Sequence, residues 1–128
     1  MKTLLQELLI LLVVQYIEGA CEAGWTVHSG QCYQYTSDRV TNQAAVQSCV
    51  LKAAQLMVIR DEQQNDFIKT FISGEAWMGL HLPESQTLWQ WVDGTALGYK
   101  NWNTGEPGDG ERCARVRPND GIWFGIGC

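Results

Sequence analysis

Apolar and polar residues along this chain alternate, shift to helical spacing, and then alternate again. Gly24-Trp25-Thr26-Val27 and Gln31-Cys32-Tyr33-Gln34-Tyr35 place bulky and polar residues in turn around Ser29-Gly30, which predicts a short hairpin. Over residues 41–56 the period lengthens. Val46, Cys49, Val50 and Ala53 recur at i, i+3, i+4 and i+7, so an amphipathic helix capped by Thr41 or Asn42 is expected, with this stripe and Cys49 buried. Asp61 opens a second helix: its carboxylate caps, Gln64 reaches back, Phe67, Ile68, Phe71 and Ile72 form the apolar stripe, and Gly74 ends it. Strand patterns return at Ala76-Trp77-Met78-Gly79-Leu80 and at Leu88-Trp89-Gln90-Trp91-Val92, the latter running into the turn Asp93-Gly94. Residues 112–117 and 121–124 read as two more strands about the turn Pro118-Asn119-Asp120-Gly121.

The first 19 residues follow a different rule. Lys2 precedes the apolar run Leu8-Leu9-Ile10-Leu11-Leu12-Val13-Val14, and small residues close the segment at Gly19 and Ala20, which is the pattern of a secretory leader. A membrane span needs about 20 apolar residues, more than this run supplies. Residues 1–19 are therefore expected to be a removable signal peptide and residues 20–128 one secreted, extracellular domain. Without Lys2, Glu7 and Glu18 the chain carries 8 basic and 12 acidic residues, a net charge of -4. That sign disfavours a nucleic-acid partner and suits cations better. Export through an oxidising route allows cysteines to pair. The five, Cys21, Cys32, Cys49, Cys113 and Cys128, are an odd set, so at least one lacks a partner; none lies in a C-x-x-C pattern, which disfavours zinc. Cys21 and Cys32 would sit near each other across the first hairpin, where a staple would tie down the mature end.

From Asn101 onward, Gly and Pro interrupt any regular element, and Glu106, Asp109, Glu111, Asn119 and Asp120 crowd the looped backbone with oxygen atoms between Trp102 and Trp123. Hard cations such as calcium take about 6 to 8 oxygen ligands, and such loops supply them; a solvated acidic loop is the plainer reading of the same residues.

Several segments, in order, resemble a C-type lectin-like domain of the long form. They are Gly24-Trp25 followed by Cys32-Tyr33, the helix leading to Cys49, the helix start from Glu62 to Phe67, Trp77-Met78-Gly79-Leu80, Trp89-Gln90-Trp91-Val92-Asp93-Gly94, Asn101-Trp102, Gly105-Glu106-Pro107, and Cys113 with Cys128. The resemblance covers nearly the whole chain after the leader. It implies an α+β fold, with two helices, two small antiparallel sheets and a long looped region carrying the ligand site. It also implies disulfides joining Cys21 to Cys32 and Cys113 to Cys128. In the family the cysteine matching Cys49 pairs with one beyond the position of Cys128, on a last strand; this resemblance therefore implies a C-terminally incomplete domain, with Cys49 unpaired, a sheet edge open and the core beneath the first helix uncovered.

In sugar-binding members, calcium is held by a Glu-Pro-Asn segment, by a Glu two residues before a cysteine, and by the Asn-Asp of a Trp-Asn-Asp segment. Carried over, Glu106 and Glu111 match as metal ligands and Pro107 as the residue orienting them. Gly108 stands where Asn is expected, Phe124 and Gly125 replace Asn and Asp, and Leu82 and Gln86 fall where an auxiliary calcium would need carboxylates. Asp109, Asn119 and Asp120 are the candidates to compensate.

The resemblance implies an extracellular module that binds carbohydrate through a degenerate calcium site, with Glu106, Glu111, Trp102 and Phe124 as ligand-binding residues. The alternative is a lectin-like domain that binds a protein or surface without calcium or sugar. Phe124 discriminates: exposed, it would offer a stacking face; buried, it would fill the vacated ion position, and the buried placement is expected. An enzyme is not expected. Glu106 and Glu111 as glycosidase acid and base would need a substrate cleft between them, and no Ser/His/Asp set or phosphate-cradling loop is present. Glycan or extracellular protein remain as partners.

Overall fold

The computed structural model describes residues 11–15 and 21–128. Its elements are β1 (Leu11–Gln15), β2 (Thr26–His28), β3 (Gln31–Thr36), α1 (Asn42–Leu51), β4 (Gln55–Leu56), α2 (Glu62–Phe71), β5 (Ala76–His81), β6 (Gln90–Trp91), β7 (Cys113–Val116) and β8 (Trp123–Ile126). One sheet has the order β2-β3-β1-β4 and the other β6-β5-β7-β8, with every pairing antiparallel. This is the α+β arrangement that the resemblance implies.

The β2–β3 hairpin turns on Ser29 and Gly30, both with positive φ (48° and 78°), the twist that two-residue hairpin loops require. The expected leader lies outside the described residues except for Leu11–Gln15, and those five residues form a strand. Leu11 pairs with Thr36 and Gln15 with Cys32 on β3, while Val13 pairs with Leu56 on β4. A sheet edge expected to be open is therefore occupied, by a segment whose sequence reads as an export signal.

α1 corrects one expectation. Thr41 caps it, accepting from the Ala44 amide at 3.2 Å. Its buried residues are Ala45 and Cys49, whereas Val46 is 37% and Val50 68% exposed, and Ala53 is exposed as well. The helix turns its small residues inward, where they pack with Leu56, Trp77 and Cys113. An i, i+4 pair of small side chains lets a helix lie close to a sheet, and that closeness outweighs burial of the two valines. The helix also stops at Leu51; Ala53 adopts φ 54°, and the chain re-enters the sheet as β4.

α2 starts at the expected cap, Asp61 accepting from the Gln64 amide at 2.7 Å. Gln64 accepts instead from the Arg60 amide and donates to the Tyr33 hydroxyl at 3.2 Å. The helix ends at Phe71, before Gly74, because Ile72 turns to extended backbone and buries its side chain. Ile68 is fully buried, while Phe67 and Phe71 are only partly so, stacking on each other at 5.0 Å.

β5 is buried on both faces, and at Gly79 a Cβ would meet the Leu56 and Met57 carbonyl oxygens at 2.9 Å. Glycine there permits β4 and β5 to approach. The expected strand over residues 88–92 shortens to Gln90–Trp91: Trp91 is buried, but Leu88 is 76% exposed and outside the ladder. β8 begins at Trp123 and continues to Ile126, two residues beyond the expected end, alternating buried and half-buried positions. Disulfides join Cys21 to Cys32 and Cys113 to Cys128, and Cys49 is a free, buried thiol. Among the described residues no helix is long and apolar enough to cross a membrane.

Candidate ligand site

The long loop between β6 and β7 is anchored by tryptophans. Trp102 makes an isolated bridge to Trp123; the Asn103 amide donates to the Trp123 carbonyl and the Trp123 amide to the Asn101 carbonyl, each at 2.9 Å. The half-buried Trp102 ring meets Trp89 and Trp123 edge-on, at 5.2 and 5.7 Å. Its position serves to hold the loop on the core.

Asn65 of α2 fixes the same loop from below, a role that the apolar stripe of α2 does not mark. It is 3% exposed, accepts from Trp123 Nε1 at 2.9 Å and donates to the Gly121 carbonyl at 3.1 Å. Asn101 donates to that carbonyl as well, at 2.7 Å. The available signal was spacing: Asn65, Ile68 and Ile72 stand at i, i+3 and i+7, so a polar residue interrupts a buried stripe, and such a residue requires partners.

The two carboxylates expected to hold a metal are both turned onto backbone. After the cis Glu106-Pro107 peptide, Glu106 Oε1 accepts from the Gly125 amide at 2.8 Å, and Glu111 Oε1 accepts from the Gly108 amide at 2.6 Å. The glycines at the two departing positions are what admit this arrangement. A Cβ on Gly108 would lie 2.7 Å from Glu111 Oε1, and one on Gly125 would lie 2.5 Å from the same atom and 3.0 Å from Pro107 Cβ. The Glu111 carboxylate thus stands in space that side chains at 108 and 125 would claim.

The other acids do not converge here. Asp109 is exposed, and Asp120 sits in the β7–β8 turn, about 15 Å along the strand from Gly125. Arg117 holds Asp120 in a two-pronged ion pair at 2.6 Å, and hydrogen bonding from that guanidinium lowers the carboxyl pKa. Asn119 lies in the same turn, its backbone N–H donating to the Lys69 carbonyl at 3.0 Å. Among the described residues no three His, Cys, Asp or Glu side chains gather as a metal group would need. In the Leu82-to-Gln86 loop, Arg112 donates to the Leu82 and Pro83 carbonyls, so a cation already occupies those oxygens. The donor set does not fit calcium.

Phe124 corrects a further expectation. Strand alternation sends Trp123 and Gly125 to the buried face of β8 and Phe124 to the other, so the expected burial of its ring does not occur. It is half-buried, with the guanidinium carbons of Arg115 and Arg117 at 4.6 and 4.9 Å from the ring centroid. Glu75 and Asp120 pair with those two arginines. A cavity of about 490 Å³ lies elsewhere, between α1 and β5, lined by Val46, Leu56, Met78, Leu80 and the Cys113–Cys128 disulfide; Trp102, Glu106, Glu111 and Phe124 do not reach it.

Residues 38–128 match the lectin C-type domain. The chain belongs to that family. Human C-type lectin domain family 10 member A is 37% identical over 114 residues, covering 80% of this chain and 35% of its own length, so this chain spans about a third of that relative. The carbohydrate-recognition domain of the human scavenger receptor C-type lectin superposes with a TM-score of 0.78 at 29% identity, over 85% of this chain and 91% of that one. A calcium-independent type II antifreeze protein superposes as well, TM-score 0.79 at 28% identity, over 85% of this chain and 86% of that one. The family thus holds, at comparable similarity to this C-type lectin domain, a structure described as recognising carbohydrate and one described as independent of calcium.

Proposed function

We infer that the protein is a calcium-independent extracellular binding module, a C-type lectin domain whose long loop contacts a protein or another surface rather than a sugar bridged by an ion. The observation that carries this reading is the engagement of both family carboxylates by amides of their own chain, Glu106 by Gly125 and Glu111 by Gly108. Binding of sugar through calcium would draw on carboxylates that each already commit one oxygen to a backbone amide, and hydrogen bonds to charged groups are worth about 1.5–3 kcal/mol each. An incoming ion would find only these two side-chain carboxylates toward the about 6 to 8 oxygen ligands that calcium takes. Similarity to a calcium-independent antifreeze protein supports the same conclusion. The expected leader, residues 1–19, accounts for the extracellular placement. Catalysis is no part of this reading.

Titrating calcium to about 10 mM, above the range of extracellular sites, while following tryptophan emission and heat tests it. No saturable signal is expected, and a glycan array should give the same profile with and without chelator. Chelator-sensitive binding to any glycan would overturn this reading.

A further inference from the structure

The outer face of α1 is built without charge. From Asn42 to Leu51 the helix has no Asp, Glu, Lys, Arg or His, so its first turn lacks an acid and its last turn a base. α2, of the same length, carries the usual surface charges: Glu62, Asp66 and Lys69, the last two as an ion pair at 3.0 Å. Ala45 and Cys49 of α1 are buried, and at about 100° per residue the opposite face centres on Gln47, with Gln43 and Val50 on one flank and Ala44 and Leu51 on the other. Leu51, 89% exposed, is the most exposed large apolar side chain among the described residues, and Val50 is 68% exposed. Val46 turns aside, toward the α1–β5 cavity. A β-branched residue loses side-chain freedom in a helix, so Val50 weakens α1 and recovers little of that by burial in a lone copy. Lys52, the cation that follows the helix, donates to Gln34 on β3 at 2.8 Å.

We propose that this face binds a second copy of the chain, two α1 helices packing antiparallel about a two-fold axis at Gln47. Its groups are complementary to themselves: a carboxamide carries both donor and acceptor, and aliphatic groups pair with one another. About that axis the two Gln47 amides meet, Val50 of one copy lies over Ala44 of the other, and Leu51 lies over the stem of Gln43. Charge selects the same pairing. After the expected leader the chain carries 8 basic and 12 acidic residues, so two copies repel unless they meet where neither is charged, and α1 provides that place. The face is turned away from Cys49. A strand at the β3 edge, which the family resemblance implies, would reach α1 from the Cys49 side and leave the face as it is. Helices of this length run about 15 Å, so the contact falls below about 1,200 Å² and the dimer is weak. Its use is multivalency: two long loops on one particle hold a repeated surface more tightly than one, with no new contact to it. α1 carries neither Glu106 nor Glu111, and failure of this proposal leaves the calcium and glycan results unchanged.

The chain is made in a secreting cell and the product sedimented at about 10 µM to 1 mM, the range of weak association. The parent is expected to pass from one copy to two across that range. Gln47→Glu and Gln47→Lys each set like charges against one another at the axis, and each should weaken the dimer at least about tenfold. An equal mixture of these two variants should recover the two-copy species, because opposite charges then meet there. That recovery also shows that both variants fold. Gln63→Glu and Gln63→Lys make the same charge changes on the exposed surface of α2 and should leave association unchanged. A parent that stays a single copy at every concentration would overturn the proposal. So would Gln47 variants that associate as the parent does, or Gln63 variants that weaken it equally, since the contact would then lie on another face or reflect net charge alone. A mixture no stronger than its two components would overturn it as well, because something other than a second α1 would cover the helix.

Discussion

The Glu111 carboxylate fills the place of a side chain at position 125: a Cβ on Gly125 would lie 2.5 Å from Glu111 Oε1. The closeness explains why the position carries no side chain, and it makes the pair measurable. Gly125→Ala should force Glu111 off the Gly108 amide and cost about 1–3 kcal/mol, as overpacking does. The expected readout is a lower urea midpoint with an unchanged slope. In a Glu111→Ala background the same change should cost at least about 1 kcal/mol less. A remainder is expected, because Pro107 Cβ is also within 3.0 Å. Additive costs in the cycle would contradict the proposed contact.

If the carboxylates are occupied only because side-chain oxygens are missing, returning them should restore an ion response. The triple variant Gly108→Asn, Phe124→Asn, Gly125→Asp raises the family ligand set from two side chains to five. The unaltered protein should melt at the same temperature with and without calcium. The variant should gain about 1.4 kcal/mol at a calcium concentration tenfold above a millimolar dissociation constant. Comparing each protein only with itself, with and without calcium, removes the destabilisation that three substitutions bring. A variant as indifferent to calcium as its parent would show that the missing ligand oxygens are not what closed the site.

Asn65 should matter more than any exposed residue of the loop it supports. Asn65→Leu leaves the buried Trp123 indole N–H without an acceptor and removes one of two donors to the Gly121 carbonyl. A loss of about 2–4 kcal/mol is expected, the penalty of an orphaned donor inside a connected network. Asn101→Ala removes only the other donor to that carbonyl and should cost about 1 kcal/mol. Equal losses for the two would place the main restraint on the loop side rather than on α2.

Local patterns announced most of the frame. Capping by Thr41 and Asp61, the turn at Ser29-Gly30 and the apolar run of β5 depend on near neighbours in sequence, and these elements formed where their residues indicated. The α1 stripe misled because it takes two partners to choose a helix face: Trp77 and Leu56 favoured the small pair Ala45 and Cys49 over the larger valines. Leu88 fell out of its strand because alternation does not reveal whether a ladder partner exists opposite. At the ligand site the sequence showed which oxygens were gone. It did not show that Glu106 and Glu111 would take donors from Gly125 and Gly108, since that depends on backbone amides, which every non-proline residue has. The role of Leu11–Gln15 was hidden for another reason: an apolar β-branched run satisfies an export signal and a buried strand equally well.

The buried thiol gives a prediction in pH. Cys49 is 1% exposed among Ala45, Leu56, Trp77 and Cys113, and this burial raises its pKa from 9.0 to about 12, with the charge of Lys52 opposing the shift. Between those values the folded chain keeps a proton that the unfolded chain loses. Fewer protons are then bound when unfolded, so stability falls as pH rises, by at most about 1.4 kcal/mol per unit. The contribution is complete below pH 9 and lost as pH climbs toward 12. Tyr33 and Tyr99 are also raised by burial and slope the same way, so the measurement is a difference: urea melts across this window for the parent against Cys49→Ala. The parent should lose stability more steeply, and the two slopes should coincide below pH 9. The same burial predicts that a thiol reagent at neutral pH labels Cys49 only through opening of the fold, at a rate that follows urea rather than reagent chemistry. Labelling of the folded protein as fast as a free cysteine would mean that the face beneath α1 is open, and the pH difference should then vanish with it.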